Sequence, residues 1–215
     1  MVGQIYHLEP KSGTAKSLVI FLHGYGANGQ DLIGIGQQWQ DLFPDTVFVS
    51  PDAPEPCAMN PFGGFQWFDL TMRDPTEYWR GVNKAGPALE EFIDQQLKQF
   101  GVSNNALGLV GFSQGTMMAL HVGYRRVEAP AAIVGYSGKL AGPEHLSKEL
   151  VSKPATLLVH GDRDDVIPPA ALSEAETAIK AEGIEVKSHL SKGLGHGIDM
   201  DGLRLGAEHL KAHLG

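Results

Sequence analysis

Cysteine is nearly missing from this 215-residue chain, with Cys57 the only one. One thiol excludes an intrachain disulfide and any metal site built from several cysteines, and it fits a reducing compartment, so cytoplasm is the expected location. Cys57 lies in a proline-rich loop with no strand-to-helix turn to activate it, and reads as a small loop hydrophobe. Long apolar runs are lacking too. Those such as Leu18-Val19-Ile20-Phe21-Leu22 are far too short to span a bilayer. Met1 to Leu8 carries neither a basic leader nor a long apolar stretch, so no signal or transit peptide is expected. Positive charge is scarce: 17 Lys and Arg stand against 25 Asp and Glu, a net charge of −8, and no basic cluster is longer than Arg125-Arg126. A surface that tracks phosphates, and hence a nucleic-acid partner, is excluded on that ground. There is no internal repeat, low-complexity tract or domain linker.

What is present fits one globular domain over residues 1–215, with 42% hydrophobic residues for a core. Short β-branched or apolar runs recur at Leu18 to Leu22, Val47 to Ser50, Leu107 to Val110, Ile133 to Tyr136 and Thr156 to Val159. Each is followed by a Gly/Pro turn and then a helical pattern, and this alternation predicts a parallel α/β sheet. Gln4 to Leu8 and Val186 to Leu190 add strands, for about six or seven in all. The first is expected to be antiparallel and at an edge, because a short turn near Ser12-Gly13 joins it to the next strand. Helices are predicted over Asp31 to Phe43, Val82 to Phe100, Gln114 to Arg126, Pro169 to Glu182 and Asp201 to Leu214. Ala53 to Tyr78 shows neither period and carries Phe62, Phe65, Trp67, Phe68 and Met72. It reads as a long functional loop whose aromatics wall an apolar pocket.

The feature that bears on chemistry is Gly111-Phe112-Ser113-Gln114-Gly115, set where an apolar run hands over to a helix. A serine on so tight a turn has crowded backbone angles, so its flanking positions must lack a Cβ. The turn lifts Oγ above the sheet edge, beside the N–H groups of the following helix. A serine hydroxyl needs a neutral imidazole to take its proton, and the imidazole needs a carboxylate to fix its tautomer. Of nine histidines, His196 in Gly193-Leu194-Gly195-His196-Gly197 stands on a Gly-rich loop after the last predicted strand, where it can reach across the sheet edge. The carboxylate is sought at a strand end between the two. Asp164 is the best placed, Asp165 comes next, and Asp162 reads as a turn-stabilising residue. Oxyanion donors are expected from the N–H groups of Gln114 and Tyr25, the latter on the early His23-Gly24-Tyr25-Gly26 turn. His23 itself reads as a structural hydrogen-bonder. His209 and His213 lie four apart on the last helix and are read as surface residues, not metal ligands. His7, His121, His145, His160 and His189 show no partner pattern.

With Ser113, Asp164 and His196 in that order, the chain resembles the α/β-hydrolase superfamily, and more narrowly the phospholipase/carboxylesterase family that includes the acyl-protein thioesterases. The matching pieces are Leu22-His23-Gly24-Tyr25-Gly26, Gln66-Trp67-Phe68-Asp69, Gly111-Phe112-Ser113-Gln114-Gly115, Tyr136-Ser137-Gly138, His160-Gly161-Asp162-Arg163-Asp164 and Gly195-His196. The resemblance implies a cap-poor hydrolase of carboxylic esters and sometimes thioesters, with no cofactor and no metal. It places Trp67, with Phe65, Phe68 and Met72, beside the acyl pocket. Tyr25 stands where many relatives carry leucine. The expected partners are small-molecule or lipid esters, and the expected state is a monomer or homodimer. Two other readings use the same residues: a non-catalytic binding protein on this scaffold, and an amidase or peptidase.

Overall fold

The computed structural model describes residues 2–60 and 63–214; Met1, Pro61, Phe62 and Gly215 lie outside the described residues. Seven strands form the central sheet: β1 (Ile5–Leu8), β2 (Ser17–Leu22), β3 (Thr46–Pro51), β6 (Leu107–Phe112), β7 (Ala132–Tyr136), β8 (Ala155–Gly161) and β9 (Val186–Ser191). A separate two-stranded hairpin, β4 (Glu55–Pro56) and β5 (Phe65–Gln66), lies inside Ala53 to Tyr78, the segment expected to be a long loop. Sheet order is β1-β3-β2-β6-β7-β8-β9, with every pairing parallel except β1 with β3. The first strand is therefore antiparallel and at the edge, as expected, but it does not pair with its sequence neighbour. Its partner is β3, with Tyr6 opposite Ser50.

Alternation along β2 divides the core. Leu18, Ile20 and Leu22 face one layer, built with Leu89, Ile93, Met118 and Ile179, while Val19 and Phe21 face another, built with Leu32, Trp39 and Leu210. Helices α1 (Gly29–Trp39) and α6 (Met200–His213) thus cover one face. The other is covered by α2 (Pro75–Phe100), α3 (Gln114–Gly123), α4 (Pro143–Glu149) and α5 (Ala170–Ala181). Buried on both faces, the central strands read as continuous apolar runs.

Helix α2 begins seven residues before the predicted start at Val82, since Pro75 opens the helix instead of breaking a loop. The Asp74 side chain caps it by accepting the Glu77 N–H, and a proline at the first helical position surrenders only an N–H with no intrahelical partner. Gly101, at φ 65°, closes the helix in the left-handed region. The seven-residue α4 was not anticipated by the apolar periodicity; it buries Leu146 alone.

Parallel strands place all their C-terminal ends on one edge. β2 runs into His23, β6 into Ser113, β8 toward Asp164 and β9 toward His196. Chain order reverses between β2, whose other neighbour is β3, and β6, which leads to β7, so a crevice opens there at the carboxyl ends.

Candidate active site

Ser113 sits at φ 54°, ψ −114°, between β6 and the first residue of α3. This is a strained conformation for a residue with a side chain, and the packing around it enforces it. Ser113 N–H donates to Tyr136 O at 2.9 Å. A Cβ on Gly115 would lie 1.8 Å from Leu22 O, and one on Gly111 would lie 2.4 Å from Thr116 N. The two glycines let β6, α3 and the end of β2 close on one another, and the serine absorbs the bend.

His196 and Asp164 meet from separate loops. His196 Nδ1 lies 2.8 Å from Asp164 Oδ2. An ionised carboxylate only accepts, so Nδ1 carries the proton and Nε2 is left as the basic nitrogen. Asp164 Oδ1 accepts N–H bonds from Val166 and Ile167, both at 2.9 Å. Burial raises the Asp164 pKa, but hydrogen bonds from His196, Ile167 and Val166 outweigh it and hold the carboxyl below its ordinary range. Asp165 is exposed, whereas Asp164 is buried, which separates the two carboxylates. Asp162 is the turn residue expected of it, accepting the Gly193 N–H at 2.6 Å and so anchoring the loop that carries His196.

Two supporting residues were given no role by the sequence: Ser137, and His160, whose reading as a histidine without a partner is corrected here. His160 Nε2 is 2.9 Å from Ile167 O and 3.2 Å from Asp164 Oδ2. Because Ile167 O is an acceptor, Nε2–H donates to it, and the ring edge lies against the Asp164 carboxylate. Ser137, at φ 44°, donates from Oγ to Gly197 O at 2.9 Å and ties down the residue after His196. Both stand in stretches that carry the family resemblance, and the position of each at a strand end was the available signal.

Ser113 and His196 line one cavity of about 180 Å³ with Tyr25, Gln114, Gly24, Leu70, Arg73, Tyr78, Phe112, Met117, Val166 and Ile167. The residues expected to wall the pocket fall elsewhere. Trp67 and Phe68 are both 1% exposed and belong to the core, Phe65 is half-buried in β5, and Met72 is 75% exposed. None of the four lines this cavity. Trp67 and Phe68 act on the site from behind. The Gln114 side chain accepts the Trp67 N–H at 2.9 Å and donates to Phe68 O at 2.8 Å, while Trp67 Nε1 donates to His23 O at 3.0 Å. Side-chain clamping of this kind fixes the backbone of Gln114 and of the His23-Gly24 turn against the same two residues.

His23 is structural, as expected. Its Nε2 accepts the Ala53 N–H at 2.9 Å, which leaves Nδ1–H to donate to Gly24 O at 2.7 Å. Burial lowers its pKa, in keeping with a neutral ring. The Tyr25 hydroxyl lies 3.4 Å from Asp69 Oδ1, and burial together with Cys57 pushes its pKa up to about 12. His209 corrects the surface reading of the last helix, being 6% exposed with Nε2 3.2 Å from Ala155 O; His213 packs on its ring. No cluster of three metal-ligating side chains occurs among the described residues. No helix among them is long and apolar enough to cross a membrane.

Glu77 holds the chain segment that carries Arg73 into the cavity wall. Its carboxylate accepts N–H bonds from Thr71 (2.8 Å), Met72 (3.0 Å) and Arg73 (2.6 Å), fixing the segment beside Leu70. Burial raises the Glu77 pKa, but the three backbone bonds prevail and lower it. A lowered folded-state pKa stabilises fully above the unfolded value and is lost as pH falls through the folded one. Glu77→Gln should therefore lose about 1–3 kcal/mol at pH 7. In urea unfolding, the difference from wild type should shrink below pH 4.5, the ordinary value for this group. A gap that is constant from pH 7 to pH 3 would refute this.

A serine at the apex of a strand-to-helix turn, on a mostly parallel seven-stranded sheet with a histidine and an aspartate on later loops, defines an α/β-hydrolase. Comparisons with known proteins narrow this. The Phospholipase/Carboxylesterase family model matches residues 4–214. The chain is 31% identical to Esterase YpfH of Escherichia coli over 198 residues, covering 92% of this chain and 83% of that protein. It is 30% identical to acyl-protein thioesterase 1 of Schizosaccharomyces pombe over 181 residues, 79% of this chain and 77% of that one. Among solved structures, esterase PE8 superposes with a TM-score of 0.94 at 44% identity, covering 99% of both chains. The chain belongs to the phospholipase/carboxylesterase family and is an enzyme of the ester-hydrolase class.

Proposed function

We propose that the protein is a serine carboxylesterase that works through an acyl-enzyme on Ser113. The observation that carries this reading is the Asp164–His196 pair, 2.8 Å apart, facing a cavity shared with a serine held at φ 54°. Ser113 Oγ attacks the ester carbonyl carbon as its proton passes to His196 Nε2. The N–H groups of Tyr25 and Gln114 hold the resulting oxyanion. Collapse breaks the bond to the alcohol oxygen, and His196 returns the proton to the leaving alcohol. Water repeats the sequence, with His196 again as base, and releases the acid and Ser113. No cofactor enters any step, and all of these groups come from one chain, so the chemistry needs no second subunit. A reducing compartment such as the cytoplasm suits the single buried Cys57.

Cavity size favours small esters. At about 180 Å³ it falls below the ~300–1,000 Å³ of sites for drug-sized ligands. Turnover of p-nitrophenyl esters should be highest between acetyl and hexanoyl and fall off toward palmitoyl. A fluorophosphonate probe should place one adduct on the peptide that contains Ser113 and abolish turnover in the same proportion. A protein inert to the whole ester series and to the probe would be a binding protein on this scaffold.

A further inference from the structure

Among the described residues that line the cavity beside Ser113, Arg73 is an exposed cation that the acyl-transfer chemistry does not use. Its backbone has φ 55°, one of three non-glycine residues at positive φ among those described; the other two, Ser113 and Ser137, belong to the site already built. Left-handed backbone is unfavourable for a residue with a long side chain and persists only where surroundings impose it. Here the Glu77 carboxylate imposes it through its bonds to the Thr71, Met72 and Arg73 N–H groups.

Every carboxylate near Arg73 along the chain is engaged elsewhere. Asp69 accepts from the Leu70 N–H (2.9 Å), and its oxygens lie 3.4 Å from the Thr71 and Tyr25 hydroxyls. Asp74 caps α2 through the Glu77 N–H at 2.8 Å. Glu77 is occupied by the three backbone donors. Among the described residues no acidic group lies within 4.0 Å of the Arg73 guanidinium. A guanidinium offers planar, bidentate donors suited to a carboxylate or phosphate. No carboxylate lines the same cavity to compete for it among the described residues.

We infer that Arg73 is a specificity-determining residue that selects esters bearing an anionic group, the anion pairing with its guanidinium while the ester carbonyl meets Ser113. This deepens the esterase reading and rests on it.

The test uses two matched pairs of esters. Monophenyl adipate against phenyl hexanoate puts the anion on the acyl side, with a chain long enough that its carboxylate does not attack its own ester. 4-Acetoxybenzoate against phenyl acetate puts it on the alcohol side. Wild type should favour the anionic member of at least one pair about 10- to 100-fold in kcat/KM, through KM, as a charge-assisted pair would provide. Arg73→Gly suits the φ of 55° and keeps the N–H that Glu77 holds, so the fold is retained. It should abolish the preference, and Arg73→Lys should restore part of it. The pair that responds shows which half of the substrate carries the anion. Absence of an anionic preference in either pair, or an equal fall on both members in Arg73→Gly, overturns the inference and leaves the esterase reading intact. If wild type turns over none of the four esters, the esterase reading has failed. Titration with adipate by calorimetry then decides on Arg73: binding lost in Arg73→Gly supports it, and binding that is absent or unaltered overturns it.

Discussion

Ser113→Ala is expected to lower kcat/KM for p-nitrophenyl butyrate by at least about 10,000-fold, with no loss of stability. The large effect follows from the proposed acyl-enzyme, which would lose the one atom that forms its covalent bond and leave only the oxyanion donors and binding to act. The constancy of the fold follows from geometry. Ser113 makes its backbone bond through N–H to Tyr136 O, which alanine keeps, and no hydrogen bond from Oγ holds the turn. Alanine inherits the same strain at φ 54°. Glycine does not, so Ser113→Gly should be as inactive as alanine and about 1–2 kcal/mol more stable than wild type in urea unfolding. That pairing of lost activity with gained stability marks a residue kept for chemistry against its backbone preference. Turnover reduced less than about 100-fold in Ser113→Ala would assign the nucleophile to another group.

Much of this arrangement was legible in the chain because the information is local. A run such as Leu107 to Val110, followed by Gly-Phe-Ser-Gln-Gly and a helical pattern, specifies strand, turn and helix within a dozen residues. The loops carrying Asp164 and His196 announce themselves by their places after apolar runs. What was misread depends on contacts distant in sequence or on punctuation with two meanings. Pro75 sits among prolines that do break structure, yet Asp74-Pro75 with Glu77 behind it is also how a helix begins, and α2 takes that course. Trp67 and Phe68 were expected beside the pocket, in a loop whose aromatics wall it, and they stand behind Gln114 instead of lining the cavity. Their burial follows from partners 44 to 47 residues away, His23 and Gln114, which no periodicity reveals. The pairing of β1 with β3 has the same origin: β2 lies next in sequence but is already flanked by β3 and β6. His209 and His213 differ in burial because the first faces the Ala155 carbonyl of β8, a neighbour supplied by the sheet.

Asp164→Asn is the more searching substitution, because it changes one atom and keeps the shape. The loop beyond β8 dictates how an amide would sit. Val166 and Ile167 both direct N–H groups at Oδ1, so an asparagine must leave its carbonyl oxygen there and turn its NH2 toward the place of Oδ2. Oδ2 is where His196 Nδ1 approaches at 2.8 Å. An NH2 donor in that place requires Nδ1 to become the acceptor, which moves the ring proton to Nε2 and removes the base proposed for Ser113. His160 adds to the conflict, since its Nε2–H, which donates to Ile167 O, stands 3.2 Å from the place of Oδ2 and would crowd an NH2 there. The expected result is a fall in kcat of about 10,000-fold near neutral pH, the scale of the corresponding change in a serine protease triad. Hydroxide at high pH should recover little of it, because the wrong tautomer persists after deprotonation of the imidazolium. In the wild type the same carboxyl is held below its ordinary range despite its burial, first by the hydrogen bond from His196 and then by those from Ile167 and Val166, so His196 keeps its orienting partner to lower pH than an ordinary carboxylate would allow. An asparagine variant within tenfold of wild type would mean that His196 is oriented by some other acceptor, and the Asp164–His196 pair would then be structural.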